Sequence, residues 1–175
     1  GSKTQPQASR HGRNRICTNE ECKARFRPRL DPSVIVLVTK GDKCLLGRNK
    51  RWPEGRYSTL AGFVEFGETL EECVLREMEE EAGVRCDRST LRFVASQPWL
   101  FPRSLMVGYT VEAADDSLSV DPAELEDAQW FDKEYVRAEL ARQGNSDSPA
   151  LPGGFHVPSR ISLARTIIES WLEEQ

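Results

Sequence analysis

Eight glutamates and a single arginine, Arg76, stand between Glu65 and Glu81, seven net negative charges within 17 residues. Placed on an ideal helix at about 100° per residue, Leu70 and Val74 define one apolar stripe, with Cys73 and Met78 at its margins. Seven residues beyond Leu70 the stripe reaches Glu77, and seven beyond Val74 it reaches Glu81, with Glu80 at its edge. Burying an unpaired carboxylate is costly, so this pattern calls for a cation. One arginine does not neutralise three carboxylates, whereas hard divalent ions accept several oxygen ligands. A solvated acidic face would account for Glu71, Glu72 and Glu79 but not for Glu77 and Glu81. A divalent ion held there polarises a phosphoryl oxygen, lowers the pKa of its bound water and offsets charge in a displacement.

A second constellation follows, Ser96-Gln97-Pro98-Trp99-Leu100-Phe101-Pro102-Arg103-Ser104-Leu105-Met106. Two prolines favour an extended path that presents Trp99 and Phe101 as flat surfaces, and Gln97 brings an amide donor and acceptor. Such a set suits a planar ligand that bears an amide, or a purine. The alternative is an irregular edge strand whose aromatics belong to the core.

These side chains need a scaffold. Val/Ile-rich Asp31–Thr39 after Pro28 reads as a buried strand, and Gly41-Asp42 turns into a second at Lys43–Gly47. Further strands are expected at Ser58–Phe63, Leu91–Ala95, Leu105–Glu112 and Ala128–Phe131. Helices are expected at Thr69–Ala82, Lys133–Arg142 and Ser159–Glu173. The first carries a capping-box spacing, Thr69 to Glu72, and a terminating Gly83. The last is opened by Pro158, suited to a first turn. Residues 143–154 read as a loop, and residues 1–15 as disordered because they lack an apolar period. The order of elements gives an α/β chain with a mixed sheet packed between helices, preceded by a basic arm over residues 1–30.

Composition narrows the options. The chain has 175 residues with 24 Lys plus Arg, 28 Asp plus Glu and 38% apolar residues, ordinary for a soluble domain. Its longest apolar run, Val34–Val38, falls far short of the roughly 20 residues of a membrane span. Two histidines, His11 and His156, give little basis for histidine chemistry. Five unpatterned cysteines argue against a disulfide scaffold and fit a reducing compartment, with the cytoplasm the expected location and an organelle the alternative. The first 30 residues carry a net +6 and the remainder −10. A basic arm is either a nucleic-acid contact or a solvated tail.

The acidic segment in full, Gly62-x5-Glu68-x7-Arg76-Glu77-Met78-x-Glu80-Glu81-x-Gly83-Val84, resembles the Nudix hydrolase signature at every defined position. The resemblance implies an α/β/α sandwich and a loop-helix-loop that holds Mg²⁺ or Mn²⁺. It also implies hydrolysis of a nucleoside diphosphate linked to another moiety. Glu77, Glu80 and Glu81 would then be metal ligands, with Glu81 or a neighbour as base, and Arg76 would orient Glu68.

The Ser96–Ser104 array is similar to one that marks the NADH pyrophosphatase subfamily, with Leu100 replacing a proline. Pro28–Pro32, Leu60–Phe63 and Val157–Arg165 resemble the same subfamily. That likeness implies Phe63, Gln97, Pro98, Trp99 and Ala164 as substrate contacts and Glu124 as a further group near the metal. Cys17-x4-Cys22 looks like half of the subfamily's four-cysteine zinc ribbon, with no Cys-x-x-Cys before it, so the chain reads as truncated and zinc has only two of four ligands. Cys44, Cys73 and Cys86 read as buried thiols. The expected reaction is metal-dependent hydrolysis of NADH or a related dinucleotide to nicotinamide mononucleotide and AMP, by a chain that could pair as a homodimer and contacts no membrane. The alternatives are removal of NAD caps from RNA with the basic arm holding RNA, an ADP-ribose or nucleotide-sugar pyrophosphatase, and a binding module without turnover.

Overall fold

The computed structural model describes residues 1–8, 13–101, 103–144, 146 and 153–174, so His11, Pro102 and much of the expected 143–154 loop lie outside the described residues. The chain falls into two compact units, Gly1–Leu30 and Asp31–Gln175.

In the first unit, β1 (Thr4–Pro6), β2 (Arg15–Cys17) and β3 (Arg25–Phe26) form a small antiparallel sheet in that order. The expectation of disorder up to residue 15 is therefore corrected for the described part. Backbone pairing needs no apolar alternation, and the hairpin is closed by polar bonds: Gln7 N donates to Asn14 O at 2.8 Å and Arg15 Nε to Thr4 Oγ1 at 2.8 Å. Cys17 is buried and Cys22 exposed, and both are free thiols.

The second unit is built on β4 (Asp31–Lys40), whose neighbours define a mixed sheet. The other strands are β5 (Lys43–Arg48), β6 (Leu60–Phe63), β7 (Arg92–Trp99), β8 (Ser104–Glu112) and β9 (Asp127–Asp132), and the order runs β7-β8-β4-β5-β9. One edge of β4 pairs in parallel with β8. The other edge is shared, with β6 opposite Ser33–Val36 and β5 opposite Val38–Lys40. The run Val34–Val38 is apolar throughout because both faces of β4 are covered. Val34, Val36 and Val38 pack toward α1 (Leu70–Ala82). Ile35 and Leu37 pack with residues of α2 (Lys133–Gln143) and α3 (Leu163–Glu173). This is an α/β/α sandwich.

Helix α1 starts and stops where its residues dictate. Thr69 and Glu72 form the reciprocal capping box, and Gly83 closes the helix in the left-handed conformation with φ 68°. Helix α3 begins four residues later than expected. Ser162, not Pro158, supplies its N-cap by accepting from Arg165 N, leaving Ser159–Ile161 as a separate turn.

Candidate active site

On α1 the buried face is Cys73, Val74, Met78, Glu81 and Ala82. Cys73 and Met78 are therefore central to the stripe rather than marginal, and Glu81 is buried at 9% exposure as the seven-residue step required. Glu77 is half-buried and the side chain of Glu80 is largely exposed. The helix packs against β6, and the fit is close at one point: a Cβ on Gly62 would lie 1.8 Å from the Glu77 carboxyl carbon. Only glycine leaves room for that carboxylate.

Arg76 grips Glu68 with both arms of its guanidinium, Nε to Oε1 at 2.8 Å and Nη2 to Oε2 at 2.9 Å. That pairing holds the Glu68 carboxyl down at about 2. Arg76 Nη1 also reaches Glu77 at 2.9 Å and Glu80 at 2.8 Å, and Nη2 donates to Phe63 O at 3.0 Å. A planar fork of five donors thus reaches Glu68, Glu77 and Glu80 together, but its single charge does not neutralise them, and of the stripe's three carboxylates it pairs only Glu77 and Glu80.

Glu81 is the carboxylate Arg76 leaves alone. Its Oε2 is buried with no hydrogen-bond partner among the described residues. Burial, then the charges of Glu77 and Glu124, push its pKa up to about 8, against one bond from the Ala61 backbone. Burial likewise raises Glu77 despite Arg76. Glu124, exposed on the Asp121–Glu124 turn, thus lies within electrostatic reach of Glu81. Among the described residues, however, no three Asp, Glu, His or Cys converge on a single point. The reason is geometric, since Arg76 turns Glu77 and Glu80 toward itself. The donor set still fits a hard divalent cation: all oxygen, negatively charged, with one buried oxygen that lacks a partner.

The opposite face of β6 opens into a cavity of about 440 Å³, a size suited to a small ligand. Ala61 and Phe63 line it from β6, Gln97 and Trp99 from β7, and Ala164 from α3. Phe63 and Trp99 remain 56% and 50% exposed, so they are open surfaces rather than core. Pro98, expected among the substrate contacts, does not line the cavity, because strand alternation turns it to the other side of β7 from Gln97 and Trp99. Gln97 lines the wall in a different role from the one expected. Its amide is engaged at both ends, Nε2 donating to Ile161 O at 2.6 Å and Oε1 accepting from Leu163 N at 2.8 Å, which ties β7 to the start of α3.

Sequence reading missed Trp52, Arg56, Ser58 and Thr59, which also line the cavity. They carry no motif, and only the fold brings residues 52–59 beside residues 97–99.

The profile of the family described as NUDIX domain matches residues 29–154. The chain belongs to the Nudix family. Hydrolases of this family generally use Mg²⁺ or Mn²⁺. This Nudix chain is 40% identical over 169 residues to the Homo sapiens "NAD-capped RNA hydrolase NUDT12", covering 92% of the chain and 35% of that protein. It is 47% identical over 146 residues to the Mycobacterium bovis "NAD-capped RNA hydrolase NudC", covering 82% of the chain and 45% of that protein. The Nudix chain thus spans less than half the length of these two relatives. A Nudix hydrolase from Nitrosomonas europaea superposes with a TM-score of 0.62 at 18% identity, over 90% of this chain and 93% of that one, a likeness of fold.

Proposed function

We propose that this Nudix chain hydrolyses the diphosphate of NADH or a related dinucleotide, adding one water across the P–O–P linkage to release nicotinamide mononucleotide and AMP. The observation that carries this reading is the arrangement about β6. Carboxylates with an unpartnered buried oxygen lie behind Gly62, and an open aromatic cavity lies before Ala61 and Phe63. A diphosphate crossing that strand meets the carboxylates while a planar base enters between aromatic walls.

Glu77, Glu80 and Glu81 would hold Mg²⁺ or Mn²⁺, with Glu124 approaching from its turn. The cation supplies phosphoryl polarisation and a bound water of lowered pKa. Arg76 keeps Glu68 fixed and, by releasing Glu77 and Glu80, frees them as ligands. Glu81 is the group assigned the proton of the attacking water, because its buried Oε2 has no partner of its own and stands beside the carboxylates that would hold the cation. Trp99 and Phe63 offer stacking faces, and Ala164 leaves room at the α3 end.

A second reading, removal of NAD caps from RNA, is supported by the printed names of the two relatives and by the +6 charge of residues 1–30. A half zinc ribbon at Cys17 and Cys22, self-association as a homodimer and a reducing intracellular location belong to the same proposal, the last supported by five free thiols. Product analysis with NADH, NAD⁺, NADPH, ADP-ribose and NAD-capped RNA, each with Mg²⁺ and with Mn²⁺, tests it. Release of AMP from none of them refutes the hydrolase reading.

A further inference from the structure

Half-buried Arg56 is the one charged side chain lining the cavity before β6 among the described residues, so no carboxylate lines it beside that arginine. Its guanidinium lies over the Trp52 ring, 5.6 Å from the centroid, and its Nε is buried with no hydrogen-bond partner among the described residues. Thr59, in the same wall, has a buried Oγ1 that likewise lacks one. Several neutral groups that could read an amide are already engaged. Gln97 gives Nε2 to Ile161 O and Oε1 to Leu163 N, and Ser162 Oγ donates to Ser159 O at 2.9 Å while accepting from Arg165 N at 3.2 Å. Of the polar side chains that remain, Arg56 offers only donors, and the hydroxyl of Thr59 can donate as well.

We propose that Arg56 makes this cavity select a planar ring that bears a carboxylate, so that the chain prefers a dinucleotide with a pyridine carboxylate over the same dinucleotide with a carboxamide. This selection rests on the dinucleotide reading above and adds the ring substituent of the accepted substrate. A carboxylate only accepts hydrogen bonds, and its two oxygens match the parallel donors of a guanidinium. A carboxamide offers one acceptor, and its NH₂ group turned toward a donor-only cation goes unpaired at a cost to binding. Stacking on the aromatic walls reads the plane of the ring rather than its substituent, so it serves both ligands alike. In the oxidised forms both rings carry the same pyridinium charge, which cancels from the comparison. The aromatic setting of the guanidinium also suits a flat anion better than a tetrahedral phosphate, because a ring carboxylate lies in the ring plane and enters the cavity with it. Charge-assisted hydrogen bonds of this kind amount to roughly ten- to a hundredfold in affinity.

Dissociation constants for NAD⁺ and its acid counterpart, nicotinate adenine dinucleotide, test the assignment on the whole chain, measured by titration calorimetry in EDTA so that nothing turns over. The wild-type protein is expected to bind the acid at least about tenfold more tightly. Arg56→Met and Arg56→Gln should bring the two affinities together by weakening the acid alone, whereas Arg56→Lys, a charge without a fork, should keep part of the difference. AMP, which has no such ring, should bind the wild-type protein and all three variants equally. Equal affinity for acid and amide in the wild-type protein, a preference that survives in both neutral variants, a loss that AMP shares, or binding of neither dinucleotide would overturn the proposal. Equal affinities together with metal-dependent AMP release from both dinucleotides would remove the role of Arg56 and leave the hydrolase reading standing. Acid-selective binding lost in the neutral variants, with no AMP release from either dinucleotide, would do the reverse.

Discussion

The carboxyl group of Glu77 fills the space that a side chain on residue 62 would occupy. Gly62→Ala must therefore displace Glu77 or the strand. We expect a loss of about 1–3 kcal/mol in stability from overpacking, together with a fall in turnover of more than about tenfold as Glu77 leaves its position. Thermal denaturation and kcat at saturating Mn²⁺ read the two effects separately, and an alanine variant with normal turnover would show that Glu77 need not stand there.

Glu81→Gln separates chemistry from folding. Turnover should drop by at least about a hundredfold, the usual scale for losing a general base or acid. Stability should hold or rise, because a buried carboxylate with an unpartnered oxygen and two like-charged neighbours is removed. A variant that keeps near wild-type rates, measured by AMP release, would dismiss Glu81 from the mechanism.

The same residue sets a pH dependence. Glu81 has an ordinary value of 4.5 and a folded value of about 8, so between these the folded state binds more protons than the unfolded one. Stability linked to Glu81 is fully present below about 4.5 and declines as pH rises through 8. Glu68 acts in the opposite sense: its folded value of about 2 adds stability above 4.5 that is lost as pH falls toward 2. Denaturant unfolding in EDTA should therefore show stability falling from pH 5 to pH 8, and Glu81→Gln should flatten that slope. A wild-type slope that the substitution leaves unaltered would contradict the assignment.

Gln97 and Trp99 share a wall of the cavity and should behave differently. Gln97→Ala loses two hydrogen bonds that join β7 to α3, worth about 1–3 kcal/mol together, and should lower hydrolysis of NADH and ADP-ribose alike. Trp99→Ala removes an exposed stacking face and should lower kcat/KM for NADH roughly tenfold more than for ADP-ribose. Steady-state kinetics on both substrates distinguish the cases.

Much of the carboxylate site was legible in spacing. The step from Val74 to Glu81 identified a buried charge, and Thr69, Glu72 and Gly83 fixed both ends of α1, because helix periodicity and capping are local physics. What spacing did not show was long-range. Gln97 looked like a ligand contact because nothing nearby in the sequence reveals Ile161 and Leu163 as its partners. Arg56 carried no signal because only the folded chain brings it beside Gln97 and Trp99. The start of α3 was misplaced for a local reason, as Pro158 and Ser162 both suit a helix opening and only the serine bonds to it. Strands β1 and β2 were invisible for want of alternation, being held by backbone and by Arg15.

Strand β6 is four residues long, and its alternation turns Leu60 and the Cβ direction of Gly62 toward α1 and the side chains of Ala61 and Phe63 toward the cavity, which the Gly62 backbone also borders. It is a partition wall one residue thick. Sliding it by a single residue against β4 would put alanine where Glu77 requires glycine and would turn the Phe63 ring away from its cavity. On the proposed function, bond cleavage and ligand choice would draw on separate sets of residues but share one register. Substitutions on the α3 side are then expected to change which base is accepted without disturbing the glutamates, as long as the pairing from Ser33 to Val36 holds.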